Sequence, residues 1–190
     1  MKRLIIGISG ASGVIYGIRM LEVLRGKIET HLIMTEQAKQ TLSLETDVAV
    51  EAVESLASLV HLDNDLASPL SSGSFRTQGM IIIPCSIKTL SAVANSYSQT
   101  LIARAADVNL KERRRVVLVV RETPLHLGHL KLMAQVTEMG GIILPPVPAF
   151  YYKPKSVTDI VDYTLGKILD LFEIKHGLIR RWGDDDCDAS

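Results

Sequence analysis

Near the start of the chain, Leu4-Ile5-Ile6-Gly7-Ile8 runs directly into Ser9-Gly10-Ala11-Ser12-Gly13, and the stretch Val14 to Leu24 follows. A short apolar run rich in β-branched residues, closed by small residues, reads as a strand buried on both faces. The residues after it recur with helical spacing, so the unit is strand, tight turn, helix. The same alternation returns along the chain. Further strands are predicted at Thr30 to Met34, Met80 to Ile83, Val116 to Val120 and Ile142 to Leu144. Helices are predicted at Glu36 to Leu44, Ile87 to Ala94, Leu101 to Glu112, His129 to Met139 and Val157 to Phe172. Thr46 to Leu59, rich in Ala, Val and Glu, predicts one more helix. It leads into a polar connector through Asn64, Asp65, Ser68 and Pro69 that ends in Ser71-Ser72-Gly73-Ser74, a loop composition. Strands alternating with helices predict an α/β fold, a three-layer Rossmann-like or flavodoxin-like domain with a central parallel sheet and right-handed crossovers.

A chain of 190 residues with 47% hydrophobic and 22% charged side chains has the makeup of one globular domain. That domain is expected to span 1–182, with the acidic stretch 183–190 as a disordered tail. Lys plus Arg and Asp plus Glu both number 21, so no overall basic field collects nucleic acid or anionic membrane, and any anion must be held locally. Glycines interrupt the apolar N-terminal run well short of the ~20 residues a membrane span needs, and no A-x-A-like cleavage site follows. Cys85 and Cys187 match neither a zinc spacing nor a disulfide framework. A cytoplasmic location is expected.

Ligands of open parallel sheets bind outside the carboxyl ends of the strands, where loops meet helix N-termini. This selects Ser9 to Gly13, Met34 to Glu36, Pro84 to Thr89 and Arg121 to Pro124. Gly7, Gly10 and Gly13 do not form the G-x-G-x-x-G dinucleotide pattern, so no pyrophosphate cradle is implied. Pro84-Cys85-Ser86-Ile87-Lys88-Thr89 sets two hydroxyls and a lysine at a helix start, which suits a phosphate monoester; the plain alternative is Ser86 as an N-cap with Lys88 solvated. Cys85 is expected to be a small buried residue rather than a nucleophile. Arg104 and Lys111, seven residues apart on one predicted helix, share a face and could converge on one anion. The alternative is surface decoration, with salt bridges to Asp107 or Glu112.

Taken together, GISGASG, SLETD, SSGSF, PCSIKTL, RAADVNLKERR, VRETPLHLGHL and PPVPAFYYKP stand in one collinear order from Lys2 to about Trp182. In this order and spacing the chain resembles the UbiX-type flavin prenyltransferases. The resemblance implies a metal-independent prenyltransferase that makes prenylated FMN from reduced FMN and dimethylallyl phosphate for a UbiD-type decarboxylase. It further implies homododecamers with active sites at subunit contacts. By motif, Gly10, Ala11 and Ser12 would line the flavin, with Ser12 close to N5. Thr35 and Ser86, Ile87, Lys88 and Thr89 would hold the FMN tail and phosphate, and Arg121 would contact FMN as well. Thr35 stands where relatives carry Ser, with the hydroxyl retained. Arg104, Lys111, Tyr151 and Lys167 would surround the dimethylallyl phosphate, with Arg121 bridging both ligands; at 167, Lys keeps the charge of the Arg found in some relatives but loses its bidentate fork. Ser12, Glu45, Glu122 and Lys111 are the catalytic candidates, with Glu45 and Glu122 as acid or base. Clustered cations would stabilise charge growing on the departing phosphate, and Pro145-Pro146-Val147-Pro148-Ala149-Phe150 would help keep an allylic cation from water.

Three rival readings remain at this point. Fold relatives that decarboxylate peptidyl-cysteine or phosphopantothenoylcysteine use a histidine upstream of a P-A-S-A-N-T loop. Here the loop reads Pro-Cys-Ser-Ile-Lys-Thr, and only His61 lies between Thr35 and that loop. A flavin carrier would have no use for cations around a second phosphate. Direct decarboxylation of aromatic acids by the protein itself is the third.

Overall fold

The computed structural model describes residues 2–179, so the acidic stretch expected as a tail lies outside the described residues. Contacts divide the chain into two compact units, Met1–Pro146 and Val147–Ser190.

In the first unit, β1 (Arg3–Ile8), β2 (Glu29–Met34), β3 (Leu59–Leu62), β4 (Gly79–Cys85), β5 (Arg115–Val120) and β6 (Ile142–Ile143) form one sheet in the order β3-β2-β1-β4-β5-β6. Every pairing is parallel, with β1 between β2 and β4. β4 is buried along its whole length, and β1, β2 and β5 are buried after their first residue, as runs covered on both faces require. Linking helices are α1 (Val14–Leu24), α2 (Glu36–Glu45), α3 (Val50–Glu54), α4 (Ile87–Ala94), α5 (Leu101–Lys111) and α6 (Leu127–Glu138), and a single 3-10 turn occupies Pro69–Ser71. A parallel sheet flanked by helices is the α/β architecture expected from the sequence, and the strand order is that of the Rossmann class.

One element differs from expectation. The single helix predicted over 46–59 is instead the short α3 followed by β3, an edge strand. Leu59, Val60 and Leu62 are exposed, so the strand lacks the continuous burial that marks its neighbours. Thr30 and Ser58 hold its entry: the Ser58 amide donates to Thr30 O at 3.1 Å, and the Thr30 amide donates to Ser58 Oγ at 3.1 Å.

In the second unit, α7 (Val157–Leu171) starts with a capping box between Ser156 and Asp159 and buries Val161, Leu165, Ile168 and Leu169 along one stripe. Among the described residues, no helix is long and apolar enough to cross a membrane.

Candidate active site

Strand order reverses between β1 and β4, and the loops leaving their carboxyl ends are tied together there. Ser9 is fully buried; its hydroxyl donates to Pro84 O at 3.0 Å and accepts from the Ser86 amide at 2.8 Å. Ser9 therefore fixes the β4–α4 loop against the β1–α1 loop. Sequence reasoning placed Ser9 only within a segment and gave it no role; the available signal was a hydroxyl at a strand end, directly before a glycine turn.

A cleft of about 810 Å³ opens at this switch point. That volume lies within the range of cofactor-sized sites. Gly10, Thr35, Lys88, Thr89 and Glu122 line it, together with Ser86 and Ile87, so most of the predicted cofactor-binding residues share one wall. Gly10 is tight for a local reason: a Cβ there would overlap Gln37, so the turn can pass the start of α2 only without a side chain.

Ser86 is indeed the N-cap of α4, its Oγ accepting from the Thr89 amide at 3.3 Å and donating to Thr89 Oγ1 at 3.2 Å. The first amides of α4 have no carbonyl partners inside the helix; the Ser86 cap takes that of Thr89, and Lys88 beside them is exposed. Thr35 likewise caps α2, accepting from the Ala38 amide at 3.1 Å. Across the cleft, Asp63 fills the N-terminus of α5: its Oδ1 accepts from the Ile102 amide at 2.9 Å, and its carbonyl accepts from the Leu101 amide at 2.6 Å. Burial pushes the Asp63 carboxyl up, against hydrogen bonds from Ile102 and Thr100 and the charge of Lys88. Sequence reading gave no role to Asp63, which directly precedes Asn64 of the polar connector.

Two of the catalytic candidates, Ser12 and Glu45, lie together at the start of α1. Gly13, in the left-handed region at φ 98°, offers no side-chain cap to α1. Glu45 supplies one from 32 residues away, accepting from the Gly13 amide at 2.9 Å and the Val14 amide at 3.1 Å. Burial works to raise the Glu45 pKa but is outweighed by hydrogen bonds from Ser12, Gly13 and Val14 and by the nearby Arg121 charge, so the carboxyl sits below its usual range. Ser12 and Glu45 are thus joined, with Arg121 near enough for its charge to act on the carboxyl. A depressed pKa means a contribution that is present above the ordinary glutamate value of 4.5 and fades as pH falls through the lower folded value. Glu45→Gln should therefore melt below the parent near neutral pH, by the equivalent of about 0.3–1 kcal/mol for a helix-terminus charge, with the gap closing in acid. A gap that is constant with pH would show that the carboxylate charge plays no part.

Arg104 and Lys111 both reach the loop after the 3-10 turn. Arg104 Nε donates to Ser71 O at 3.3 Å, while Lys111 and Glu112 press so closely on Gly73 that a Cβ there would overlap them. Each cation also has an acidic neighbour: Arg104 pairs with Asp107 at 3.0 Å, and Lys111 pairs with Glu112. Tyr151 and Lys167 belong to the second unit, where Lys167 is exposed and Tyr151 shares a hydrogen bond with Tyr163. His61 is absent from the cleft wall; it lies in β3, bonded to His31 Nδ1 at 2.9 Å and Ser68 Oγ at 2.9 Å. Burial drives the Cys85 thiol far above its usual range, which makes it inert as a nucleophile.

Sheet order and the place of the cleft define an α/β protein of the Rossmann class. The family model described as Flavoprotein matches residues 1–181. The flavin prenyltransferase UbiX of Escherichia coli K12 is 58% identical over 186 residues, covering 96% of this chain and 98% of that protein. UbiX of Thauera aromatica is 56% identical, covering 95% and 93%. Among solved structures, AnUbiX (PadA1) in complex with FMN and dimethylallyl pyrophosphate superposes with a TM-score of 0.94 at 49% identity, covering 95% of this chain and 97% of that one. A dodecameric FMN-dependent UbiX-like decarboxylase from Escherichia coli O157:H7 gives 0.92 at 47%, covering 95% and 98%. The chain belongs to the UbiX-type flavin prenyltransferase family of flavoproteins, and it is a prenyltransferase.

Proposed function

We propose that the cleft binds FMN with its phosphate at the start of α4, and that the enzyme joins the dimethylallyl group of dimethylallyl phosphate to N5 and C6 of reduced FMN. The observation that carries this reading is the start of α4, Ser86 to Thr89 with the exposed Lys88, in one cleft with Gly10 and Glu122 and beside Ser12, Glu45 and Arg121. One phosphate site suits FMN: of the other two helix starts in the cleft, that of α5 is filled by the Asp63 carboxylate, which repels a second phosphate, and that of α2 is capped by Thr35.

Reduced FMN, once bound, supplies the nucleophilic N5 and C6 positions. Gly10, Ala11 and Ser12 border the flavin, Thr35 supports its tail, and Ser86, Ile87, Lys88 and Thr89 hold its phosphate. Arg104, Lys111, Arg121 and Lys167 neutralise the phosphate of the second substrate as it leaves, and Tyr151 donates a hydrogen bond to it. Glu45, joined to Ser12 by a hydrogen bond, is placed to take or return a proton through the serine hydroxyl; Glu122, on the cleft wall, is the second such carboxylate.

In this reading residues 1–182 act as one flavoprotein domain, the enzyme is a cytoplasmic homododecamer with sites completed at subunit contacts, and prenylated FMN passes to a UbiD-type decarboxylase. The test of the recipient is direct. Flavin product released from this enzyme should activate a purified apo-decarboxylase of that type, while the enzyme alone leaves aromatic acids untouched. Decarboxylation by the enzyme alone would overturn the reading.

A further inference from the structure

The second unit holds a hydroxyl that no sequence motif marks. Tyr163 lies on α7, and its hydroxyl is hydrogen-bonded to that of Tyr151, with the two rings edge-on at 87° and centroids 6.0 Å apart. Tyr163 also stacks face to face on Tyr152, with centroids 4.7 Å apart and planes 6° from parallel. The Tyr152 hydroxyl in turn donates to Asp159 O at 3.2 Å, in the capped first turn of α7. Tyr163 is thus a braced post. Tyr151, by contrast, is 65% exposed on the loop that follows the Pro-rich segment.

We propose that Tyr163 is a positioning residue for the prenyl-phosphate substrate, its O–H donating to Tyr151 Oη so that the Tyr151 proton is turned toward a phosphate oxygen. The proposal rests on the reading of Tyr151 as a phosphate contact. Two hydroxyls sharing one hydrogen bond must divide the roles of donor and acceptor. If Tyr163 donates, Tyr151 is left with its own proton to give, and a hydroxyl that accepts one hydrogen bond becomes a stronger donor in the next. The hydrogen bond with Tyr151, together with burial, pushes the Tyr163 pKa up to about 12, so it keeps its proton at working pH. Lys167 follows Tyr163 by four residues, one helical turn, so the cation assigned to the same phosphate stands on the same face of α7 as the post that holds Tyr151.

The experiment is a double-mutant cycle on the intact enzyme, varying dimethylallyl phosphate at saturating reduced FMN. Tyr163→Phe keeps the stack on Tyr152 and removes only the hydroxyl. It should raise KM for dimethylallyl phosphate roughly 3- to 10-fold, the loss of one hydrogen bond, with FMN affinity and melting midpoint unchanged. In a Tyr151→Phe background the same substitution should add nothing further. Equal effects of Tyr163→Phe in both backgrounds would overturn the proposal, as would no effect on KM where Tyr151→Phe has one, or a loss of FMN affinity and stability in place of a KM effect. If Tyr151→Phe itself leaves KM unchanged, the reading of Tyr151 as a phosphate contact fails first, and the proposal with it.

Discussion

Lys111→Ala should lower prenyl transfer roughly 10- to 100-fold while FMN affinity stays at the parent value. A charge-assisted contact to the leaving phosphate contributes about 1.5–3 kcal/mol, and each 1.36 kcal/mol is a factor of ten. The ammonium now pairs with Glu112, and both side chains are about half to a third exposed, at 49% and 36%. An exposed pair of this kind contributes little to stability. In the proposed reading the pair presents the cation: the lysine is held at the Gly73 loop, near the Arg104 contact at Ser71. Steady-state prenyl transfer and flavin titration on the same preparation separate the outcomes. Unchanged turnover would make Lys111 a surface residue. Parallel loss of turnover and flavin binding would assign it to the flavin or to the fold.

Ser9→Ala is expected to be the most damaging small substitution for stability. The hydroxyl is wholly buried between Pro84 O and the Ser86 amide, so its removal leaves the half-buried Ser86 amide without its partner, while Pro84 O keeps the Ser9 amide at 3.2 Å. That costs about 1–3 kcal/mol. For a chain of this size the melting midpoint should fall by roughly 3–10 °C. The same change releases the start of α4, so flavin affinity should fall along with stability. Ser12→Ala, at an exposed hydroxyl, should leave the midpoint within about 1–2 °C. Thermal melts and flavin titrations of the two variants test the contrast, and a Ser9→Ala protein as stable as Ser12→Ala would refute the bridging role.

Much of the fold was legible because the strands that make the sheet are buried runs. Leu4 to Ile8 and Val116 to Val120 have no polar interruption, and the carboxyl-end rule then located the loops of the cleft. β3 was not legible. Its exposed edge position relaxes the demand for apolar residues, and the Ala, Val and Glu content before it resembles helix more than the five residues of α3 justify. The site divides in the same way. Residue types at Ser86 to Thr89 mark a helix start carrying two hydroxyls and a lysine, because that chemistry is local. What joins the loops is long-range: Ser9 to Ser86 spans 77 positions, and Glu45 reaches back 32 to cap α1. No periodicity or spacing encodes such partners. Arg104 and Lys111 show the limit from the other side, since their ion pairs with acidic neighbours were readable as surface decoration, and the loop they share at Ser71 to Gly73 was not.

The chemistry done to the flavin is the most direct test. Purified enzyme is incubated anaerobically with reduced FMN and dimethylallyl phosphate, the flavin is extracted, and its mass is measured. The account predicts FMN heavier by one isoprene unit, formed only when both substrates and the enzyme are present. Recovery of unmodified FMN from active, correctly assembled enzyme would contradict it.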